Sequence, residues 1–281
     1  MMVKQALKSI RFHVLTIIFG FLMVYPLIWL LMSSFKNNKE IFASSYALWP
    51  NHWDVLTNYS EAWKGIGGIS FGHILLNTIL VAGIGTIAGV FCSALAAYAF
   101  ARINFRGSNF WFICVMLTLM IPNQVMVVPQ YIIFEKLGMI NHLSALIAPW
   151  FFGNAFFIFL TVQFIRGLPI ELDEAAEIDG CNKLTIFSRI ILPLIRPAIV
   201  TSGIFSFYWI WQDFFQPLIF MSNPKSFTVS LALNSFLDPS SYSNYGALFA
   251  MSVMAIIPVI IIFLMFQRYL VEGIATTGLK S

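Results

Sequence analysis

Six long apolar segments alternate with shorter polar connections along the chain. Crossing the hydrocarbon core of a bilayer takes about 20 apolar residues in a helix, so the pattern predicts six transmembrane helices and an all-α fold. The predicted spans are residues 12–34, 73–100, 110–132, 143–165, 198–221 and 246–267. Pro122 and Pro129 predict a kink or interruption in the third span.

The connection at 166–197 carries its own helix signals. Residues 171–180 hold five of the twelve acidic residues of the chain. Pro169 fits a first helical position, the early carboxylates favour the positive end of a helix dipole, and Gly180 fits a left-handed turn after the last residue. Leu172, Ala175 and Ala176 share one helical face. These signals predict a short helix with a small-residue face that suits docking into a groove on another protein.

A second, amphipathic helix is predicted directly after Gly180. Its apolar face is formed by Leu184, Phe187, Ile191 and Leu194. Such a helix is stable at a membrane surface. Pro193 and Pro197 are expected to break or kink the chain before the fifth span.

Composition indicates the class of protein. The chain has 281 residues, of which 59% are hydrophobic and 10% charged, and its mean hydropathy is +0.83. Soluble domains have roughly 25% charged residues, so this is a polytopic membrane protein. The three Cys form no CxxC pair and the four His are scattered, so no disulfide framework and no metal site is predicted. Without an internal repeat or a low-complexity linker, the chain is expected to form one membrane domain over residues 1–281.

The placement of positive charge predicts the orientation. If the N-terminus lies inside, eleven of the sixteen Lys and Arg residues lie on the inner side and five on the outer side. The positive-inside rule then places both termini and the 166–197 loop in the cytoplasm. The long external segment 36–72 is rich in Trp and Gly, and either a ligand role or an ordered cap on the bundle would account for it.

Several motifs resemble those of a known transport family. Glu174-Ala175-Ala176, Asp179-Gly180 and Ile191-Leu192-Pro193 resemble the "EAA" loop of ABC importer permeases. A wider pattern from about residue 12 to the C-terminus is similar to carbohydrate-importer permeases of the maltose-permease G-subunit type. It includes Ala97-Tyr98-Ala99-Phe100-Ala101-Arg102, Met120-Ile121-Pro122, Trp211-Gln212-Asp213-Phe214 with Pro217-Leu218, and Gln267-Arg268-Tyr269-Leu270-Val271-Glu272-Gly273.

The resemblance implies a permease subunit of a bacterial inner-membrane importer for a mono- or oligosaccharide. Its partners would be a second homologous permease in a heterodimer, two ABC ATPase subunits, an external sugar-binding protein and membrane lipid, with no nucleic acid. ATP and Mg²⁺ would bind the ATPases, so this chain would bind no cofactor and would not be an enzyme. The coupling residues would be Glu174, Ala175, Ala176, Asp179 and Gly180, and a tail with Leu279 and Lys280 would reach toward the ATPases.

Asp213 is the ionisable residue within a predicted span that calls for an explanation. A charged side chain there costs roughly 2.5–3.5 kcal/mol on insertion scales, so it should face a cavity or the bundle interior. With Trp209, Trp211 and Gln212 it could line a sugar path, since aromatic faces and amides suit sugars. It could equally form an interhelical hydrogen bond that fixes register.

A stripe of small residues in the second span predicts close approach by another element. Its members recur every four residues: Gly85, Gly89, Ser93, Ala97 and Ala101. The stripe is consistent with packing inside the bundle or with an interface that transmits motion.

Three alternative functions have less support in the sequence than a sugar importer. The same family includes carriers of other solutes such as glycerol phosphate. A secondary transporter would need intramembrane ion ligands, for which Asp213 alone is thin support. Gly68-Ile69-Ser70-Phe71-Gly72 matches G-x-S-x-G, but it lacks the strand-turn-helix context of a hydrolase. No G-x-x-x-x-G-K-[ST] occurs, so no P-loop ATP hydrolysis is expected.

Overall fold

The computed structural model describes residues 2–43, 47–236 and 244–278, and within them the structure is helical. The β pairing in these ranges consists of two isolated bridges, Lys36 with Trp53 and Ile66 with Ile69, so the predicted all-α fold is confirmed. The α-helices are α1 (Met2–Ser33), α2 (Asn38–Ala43), α3 (Val55–Lys64), α4 (Phe71–Arg102), α5 (Ser108–Thr118), α6 (Asn123–Lys136), α7 (Ser144–Ile147), α8 (Ala155–Arg166), α9 (Glu171–Ile178), α10 (Lys183–Ile186), α11 (Leu192–Leu194), α12 (Arg196–Gln212), α13 (Phe215–Phe220), α14 (Val229–Ser235) and α15 (Tyr245–Gly278). Short 3₁₀ turns cover Ala148–Phe152 and Pro224–Ser226, and a π-helical turn covers Phe187–Ile191.

Four helical stretches in the described residues are long and apolar enough to cross a membrane. They are Arg11–Ser33, Phe71–Arg102, Ser144–Arg166 and Tyr245–Tyr269. Two bent pairs raise the number to six: α5 with α6 at 101°, and Lys183–Leu194 with α12 at 79°. The third span is therefore interrupted before Asn123, next to Pro122 as predicted, whereas Pro129 lies inside α6 without ending it.

The fourth and fifth spans are also interrupted. The fourth passes from α7 through a 3₁₀ turn to α8, which starts at Ala155. The fifth, predicted as one segment over 198–221, stops at Gln212 and resumes as α13 at Phe215. Non-helical backbone at membrane depth needs hydrogen-bond partners from protein or water. The free backbone groups at these breaks must therefore be satisfied by neighbouring side chains or by water.

The described residues divide into two compact units by their backbone contacts. The first comprises residues up to Gly72 and Leu233–Ile257. In it, the buried Asn58 side chain donates to the carbonyls of Ser34 and Lys36, each at 2.9 Å, and the buried Lys36 ammonium donates to Ala47 O. These contacts order the segment that the sequence predicts to be external.

The second unit comprises His73–Ala232 and the residues from Pro258 onward. It contains two cores of buried apolar side chains. One includes Val81, Ala82, Leu146, Ile210 and Phe220. The other includes Ala97, Ile165, Ala176, Ile186, Phe187, Ile191 and Ile195, and so joins the second and fourth spans to the 166–197 loop. The prediction of one domain over 1–281 stays a prediction.

Candidate coupling surface and membrane cleft

The acidic segment forms α9, as the sequence predicts. Three carboxylates occupy its first turn, where free N–H groups and the helix dipole favour negative charge. The helix begins at Glu171, two residues after Pro169, so Pro169 is not its first residue as expected. The Ile170 carbonyl instead accepts the first hydrogen bonds, from Asp173 N at 2.9 Å and Glu174 N at 3.2 Å.

Gly180 ends α9 in the predicted left-handed conformation, with φ of 81°. Cys181 N donates to Ala176 O at 2.9 Å and Gly180 N donates to Glu177 O at 3.0 Å. This paired arrangement is a Schellman motif, which requires a residue at positive φ. A Cβ on Gly180 would meet nothing within 4 Å, so glycine serves here for its backbone conformation and not for space.

The faces of α9 differ from the sequence expectation. Leu172, Ala175 and Ala176 were expected to share one face, but only Ala176 is buried, at 5% exposure. Ala175 and Leu172 are exposed, and Ile178 is 87% exposed. An eight-residue helix has two turns, and here the inward positions are three residues apart, at Asp173 and Ala176. Ala176 thus anchors the helix, while Glu174 and Ala175 face outward with Asp179.

A buried ion pair fastens α9 to the end of α4. Arg102 Nε lies 3.0 Å from Asp173 Oδ2, and the two side chains are 7% and 6% exposed. Arg102 Nη2 also donates to Leu168 O at 2.8 Å. The sequence analysis missed this pair, because Asp173 was interpreted only as a helix-dipole residue. One feature of the sequence could have indicated the pair. Arg102 ends the otherwise apolar Ala97–Arg102 motif, on the side of the membrane where the acidic loop is also predicted to lie.

The base beneath α9 is formed by α10, the π turn and α11. Ile186, Phe187 and Ile191 are buried, whereas Leu184 and Leu194, which were expected on the same face, are 71% and 47% exposed. The π turn at Phe187–Ile191 explains the exposure of Leu194, which follows it, because one extra residue per turn shifts the inward face away from a regular 3.6-residue repeat. It does not explain the exposure of Leu184, which precedes the turn. Phe187 packs against Tyr98 of α4, with ring centroids 5.3 Å apart.

The outer surface of the loop carries a second, exposed ion pair. Lys183 contacts Glu177, and both side chains are about half exposed. The hydrogen bond that the Lys183 ammonium donates to this carboxylate raises the pKa of Lys183 above its ordinary value. Exposed pairs of this kind contribute about 0–1 kcal/mol, so the buried Arg102–Asp173 pair is the stronger candidate for fixing the position of α9.

The three broken spans border one cleft in the second unit. It has a volume of about 420 Å³. Its lining includes the first residue of α6, Asn123, the N-cap of α8, Asn154, and the junction between α12 and α13. The remaining lining residues are Gln124, Val127, Trp150, Trp209, Gln212, Asp213, Phe214, Phe215 and Gln216. The cleft therefore combines indole rings, carboxamides and one carboxylate.

Three of the four residues predicted for a path or an interhelical contact line this cleft. Trp209 lines it and stacks on Phe157, with centroids 5.2 Å apart and planes at 18°. Gln212 and Asp213 follow it at the end of α12. Trp211 points elsewhere: it is 7% exposed and stacks on Phe207 in the first core. Sequence reasoning missed Asn123, Gln124, Trp150 and Asn154, which come from other spans.

Asp213 has a local role that the sequence analysis did not weigh. Its Oδ1 accepts from Phe215 N at 3.1 Å and from Gln216 N at 3.4 Å, so the carboxylate caps the start of α13. Its backbone carbonyl accepts from Ser230 Oγ. The side chain thus satisfies N–H groups that the break in the fifth span leaves free.

Trp150, which lines the cleft, packs against the small-residue stripe of α4. A Cβ on Gly85 would lie 3.2 Å from Trp150 Cδ1, and one on Gly89 would lie 2.9 Å from Trp150 Cε3. Farther along, Ser93 Oγ accepts from Asn154 N at 2.9 Å. The expected close approach is therefore confirmed, and the approaching elements are the 3₁₀ turn and the start of α8.

Two further predictions concern the tail and metals. Leu279 and Lys280 lie outside the described residues. Among the residues that are described, no group of three or more His, Cys, Asp or Glu side chains is arranged to hold a metal ion.

Comparison with known proteins places the chain in a transport class. Residues 85–276 match the family model of the binding-protein-dependent transport system inner membrane component. The chain belongs to this family, and it is a membrane-embedded ABC transporter permease.

Individual relatives match over nearly the whole length. The chain is 37% identical over 258 residues to the probable ABC transporter permease protein YurM of Bacillus subtilis, covering 92% of this chain and 84% of that protein. It is 32% identical over 289 residues to the arabinooligosaccharides transport system permease protein AraQ of Halalkalibacterium halodurans, covering 99% and 100%. It is 30% identical over 281 residues to the trehalose/maltose transport system permease protein MalG of Thermococcus litoralis, covering 99% of each.

A solved structure shares the fold. A chain of a bacterial ABC transporter involved in the import of the acidic polysaccharide alginate superposes with a TM-score of 0.81 at 22% identity, covering 95% of this chain and 97% of that one. A second alginate transporter structure, in complex with an alginate pentasaccharide-bound periplasmic protein, superposes with a TM-score of 0.61 at 17% identity, covering 95% and 94%. The all-α permease fold predicted from the sequence is therefore confirmed.

Proposed function

We propose that this chain lines the translocation path for a neutral mono- or oligosaccharide in an ATP-driven importer supplied by an external solute-binding protein. The observation that carries the proposal is the cleft at the three span breaks. Its indole rings suit the C–H faces of sugar rings, its carboxamides suit hydroxyl groups, and about 420 Å³ lies within the usual range for small-molecule sites. Relatives that are named for arabinooligosaccharides and for trehalose and maltose support the sugar class.

The charge of the cleft favours a neutral sugar over a phosphate ester. Among the residues that line it, Asp213 is the charged side chain, and it is an acid. A glycerol phosphate would bring a second negative charge close to the Asp213 carboxylate, and like charges repel. The same-family alternative of a glycerol phosphate carrier is therefore disfavoured by this cleft.

For coupling, we infer that α9 inserts into a groove of an ABC ATPase subunit. Glu174, Ala175 and Asp179 face outward for that contact, whereas Ala176 and Gly180 hold the helix in its conformation. The ATPases would bind ATP and Mg²⁺, and two of them would serve this chain and a second homologous permease. The proposed orientation places α9 and both termini in the cytoplasm, on the strength of the Lys and Arg distribution.

Reconstituted transport tests the sugar path. The assembled importer in proteoliposomes, with its binding protein outside and ATP inside, should take up a labelled oligosaccharide. Gln212→Leu should reduce uptake while leaving assembly intact, because it removes a hydroxyl partner from the cleft. The matched control is Trp211→Phe, since Trp211 lies in the core and outside the cleft. Equal uptake by Gln212→Leu and the wild type would contradict a sugar path here.

The energy source separates this function from a secondary transporter. Uptake should require internal ATP and should survive an uncoupler when ATP is held constant. Uptake by ATP-free vesicles in response to an imposed pH gradient would exclude the ATP-driven importer. Labelling of a cysteine at position 175 only from the inner face, and of one at position 56 only from the outer face, would support the proposed orientation.

A further inference from the structure

An apolar groove and a basic cleft adjoin at one end of the second unit. The groove, about 470 Å³, is lined by aromatic and aliphatic side chains that include Trp111, Cys114 and Ile158. The cleft, about 620 Å³, has a mainly polar lining that includes Arg102 and Arg166. Phe100 and Phe105 line both cavities, so the two cavities lie side by side.

The basic cleft has an unneutralised cation. Arg102 is paired with Asp173, but among the described residues no carboxylate forms an ion pair with Arg166. The Arg166 guanidinium lies 5.3 Å from the ring centroid of Phe112, which orients it without neutralising it. Asn104, Ser108 and Asn109 add polar groups around it, and the first turn of α5 contains no acidic residue. A phosphate group would satisfy this arrangement.

The length of the groove fits one leaflet of a membrane. It follows α5 from its first turn to Thr118, where the helix ends at the break in the third span. The eight helical residues from Trp111 to Thr118 extend roughly 12 Å, most of the ~15 Å of one leaflet of the ~30 Å hydrocarbon core. An acyl chain that starts at the membrane surface and ends near the midplane needs this length. The positive end lies at the surface that the charge distribution assigns to the cytoplasm.

We propose that the two cavities together form a binding site for one anionic phospholipid of the cytoplasmic leaflet. The headgroup phosphate binds Arg166 in the basic cleft, and an acyl chain occupies the groove beside Trp111 and Cys114. The site lies next to the Arg102–Asp173 pair, so a bound lipid contacts the end of α4 that holds α9. An apolar groove alone would fit many occupants, but a groove that adjoins a basic cleft fits a molecule with a tail and a phosphate.

Native mass spectrometry of the purified, assembled transporter tests this site. The complex is titrated with phosphatidylglycerol and, separately, with phosphatidylcholine. One phosphatidylglycerol should bind more tightly than any phosphatidylcholine. Arg166→Gln should weaken that binding by about tenfold, because it removes a charge-assisted contact with the phosphate. Arg189→Gln is the matched control: it removes the same charge from an exposed position of the π turn, and it should change nothing.

A second pair of variants tests the tail. Cys114→Trp fills the groove and should abolish the tight lipid, whereas Ile113→Trp, on the exposed side of the same helix, should keep it. Equal effects of Arg166→Gln and Arg189→Gln would overturn the proposal, as would tight binding by Cys114→Trp. Displacement by inorganic phosphate with no effect of Cys114→Trp would identify a phosphate site instead. An assembled complex that binds phosphatidylglycerol no more tightly than phosphatidylcholine would also overturn the proposal.

Discussion

The buried pair between Arg102 and Asp173 predicts how firmly α9 is held. Arg102→Met leaves the Asp173 carboxylate, 6% exposed, without its cation. Removing one partner of a buried ion pair costs about 3–5 kcal/mol. The favourable interaction of a carboxylate with the helix dipole contributes only about 0.3–1 kcal/mol and cannot compensate. Since about 1.4 kcal/mol is tenfold in an equilibrium constant, the ratio of docked to undocked α9 should fall by about 100-fold or more.

Hydrogen exchange of residues 171–181 in the assembled importer measures this change. Asp173→Leu should also speed exchange, because it leaves Arg102 buried and unpaired. The double variant Arg102→Met with Asp173→Leu removes both charges and should recover most of the protection, since apolar replacement of a buried pair is often neutral. A residual loss of about 1–3 kcal/mol is expected, because the Leu168 carbonyl loses its donor.

The exposed pair in the same loop is the control. Glu177→Gln removes the partner of Lys183, and both are about half exposed, so exchange should change by less than about 1 kcal/mol. If the double variant at the buried pair shows the sum of the two single effects, the charges are not coupled and the reasoning is refuted. Wild-type exchange in Arg102→Met would refute it as well.

Three further changes separate the roles of individual residues. Gly180→Val should destabilise the end of α9 by about 1–2 kcal/mol because residue 180 has a left-handed backbone conformation. Gly180→Asn should be tolerated, and equal thermal stability of the two variants would contradict this prediction. Ala176→Asp should lower the yield of assembled importer because position 176 is buried. Ala175→Asp should keep the yield but abolish the stimulation of ATP hydrolysis by the loaded binding protein. Similar yields of the two variants would disprove the assignment of buried and exposed faces. Asp213→Leu should cost about 1 kcal/mol in thermal stability through loss of the α13 cap, and Asp213→Asn much less; a larger loss with Asn would exclude the cap.

The sequence predicted the spans and the acidic helix of the 166–197 loop because their signals are local. A run of about 20 apolar residues, five acidic residues in ten and a glycine after the last turn each specify structure without reference to distant residues. The left-handed Gly180 and the break beside Pro122 were predicted for that reason.

What the sequence did not predict depends on tertiary contacts or on turn geometry. Asp173 pairs with a residue 71 positions earlier, and no local pattern encodes that distance. The exposure of Leu194 follows from the preceding π turn, which changes the period that a helical repeat assumes. The cleft combines Asn123, Asn154 and Gln212 from three different spans, and only Gln212 lies in a motif that stood out.

The 79° bend at Ile195 connects the loop to the cleft through two helical arms of unequal length. The segment Lys183–Leu194 has 12 residues and α12 has 17, so the two arms of the bend are roughly 18 Å and 26 Å long. Ile191 and Ile195 are fully buried at the corner, and a rigid corner would make the two arms turn together. A shift of about 2 Å at the loop end of the short arm then moves the far end of α12 by about 3 Å, the ratio of the two lengths. That far end is Gln212, so a small displacement of the loop becomes a larger displacement of the residues that line the cleft.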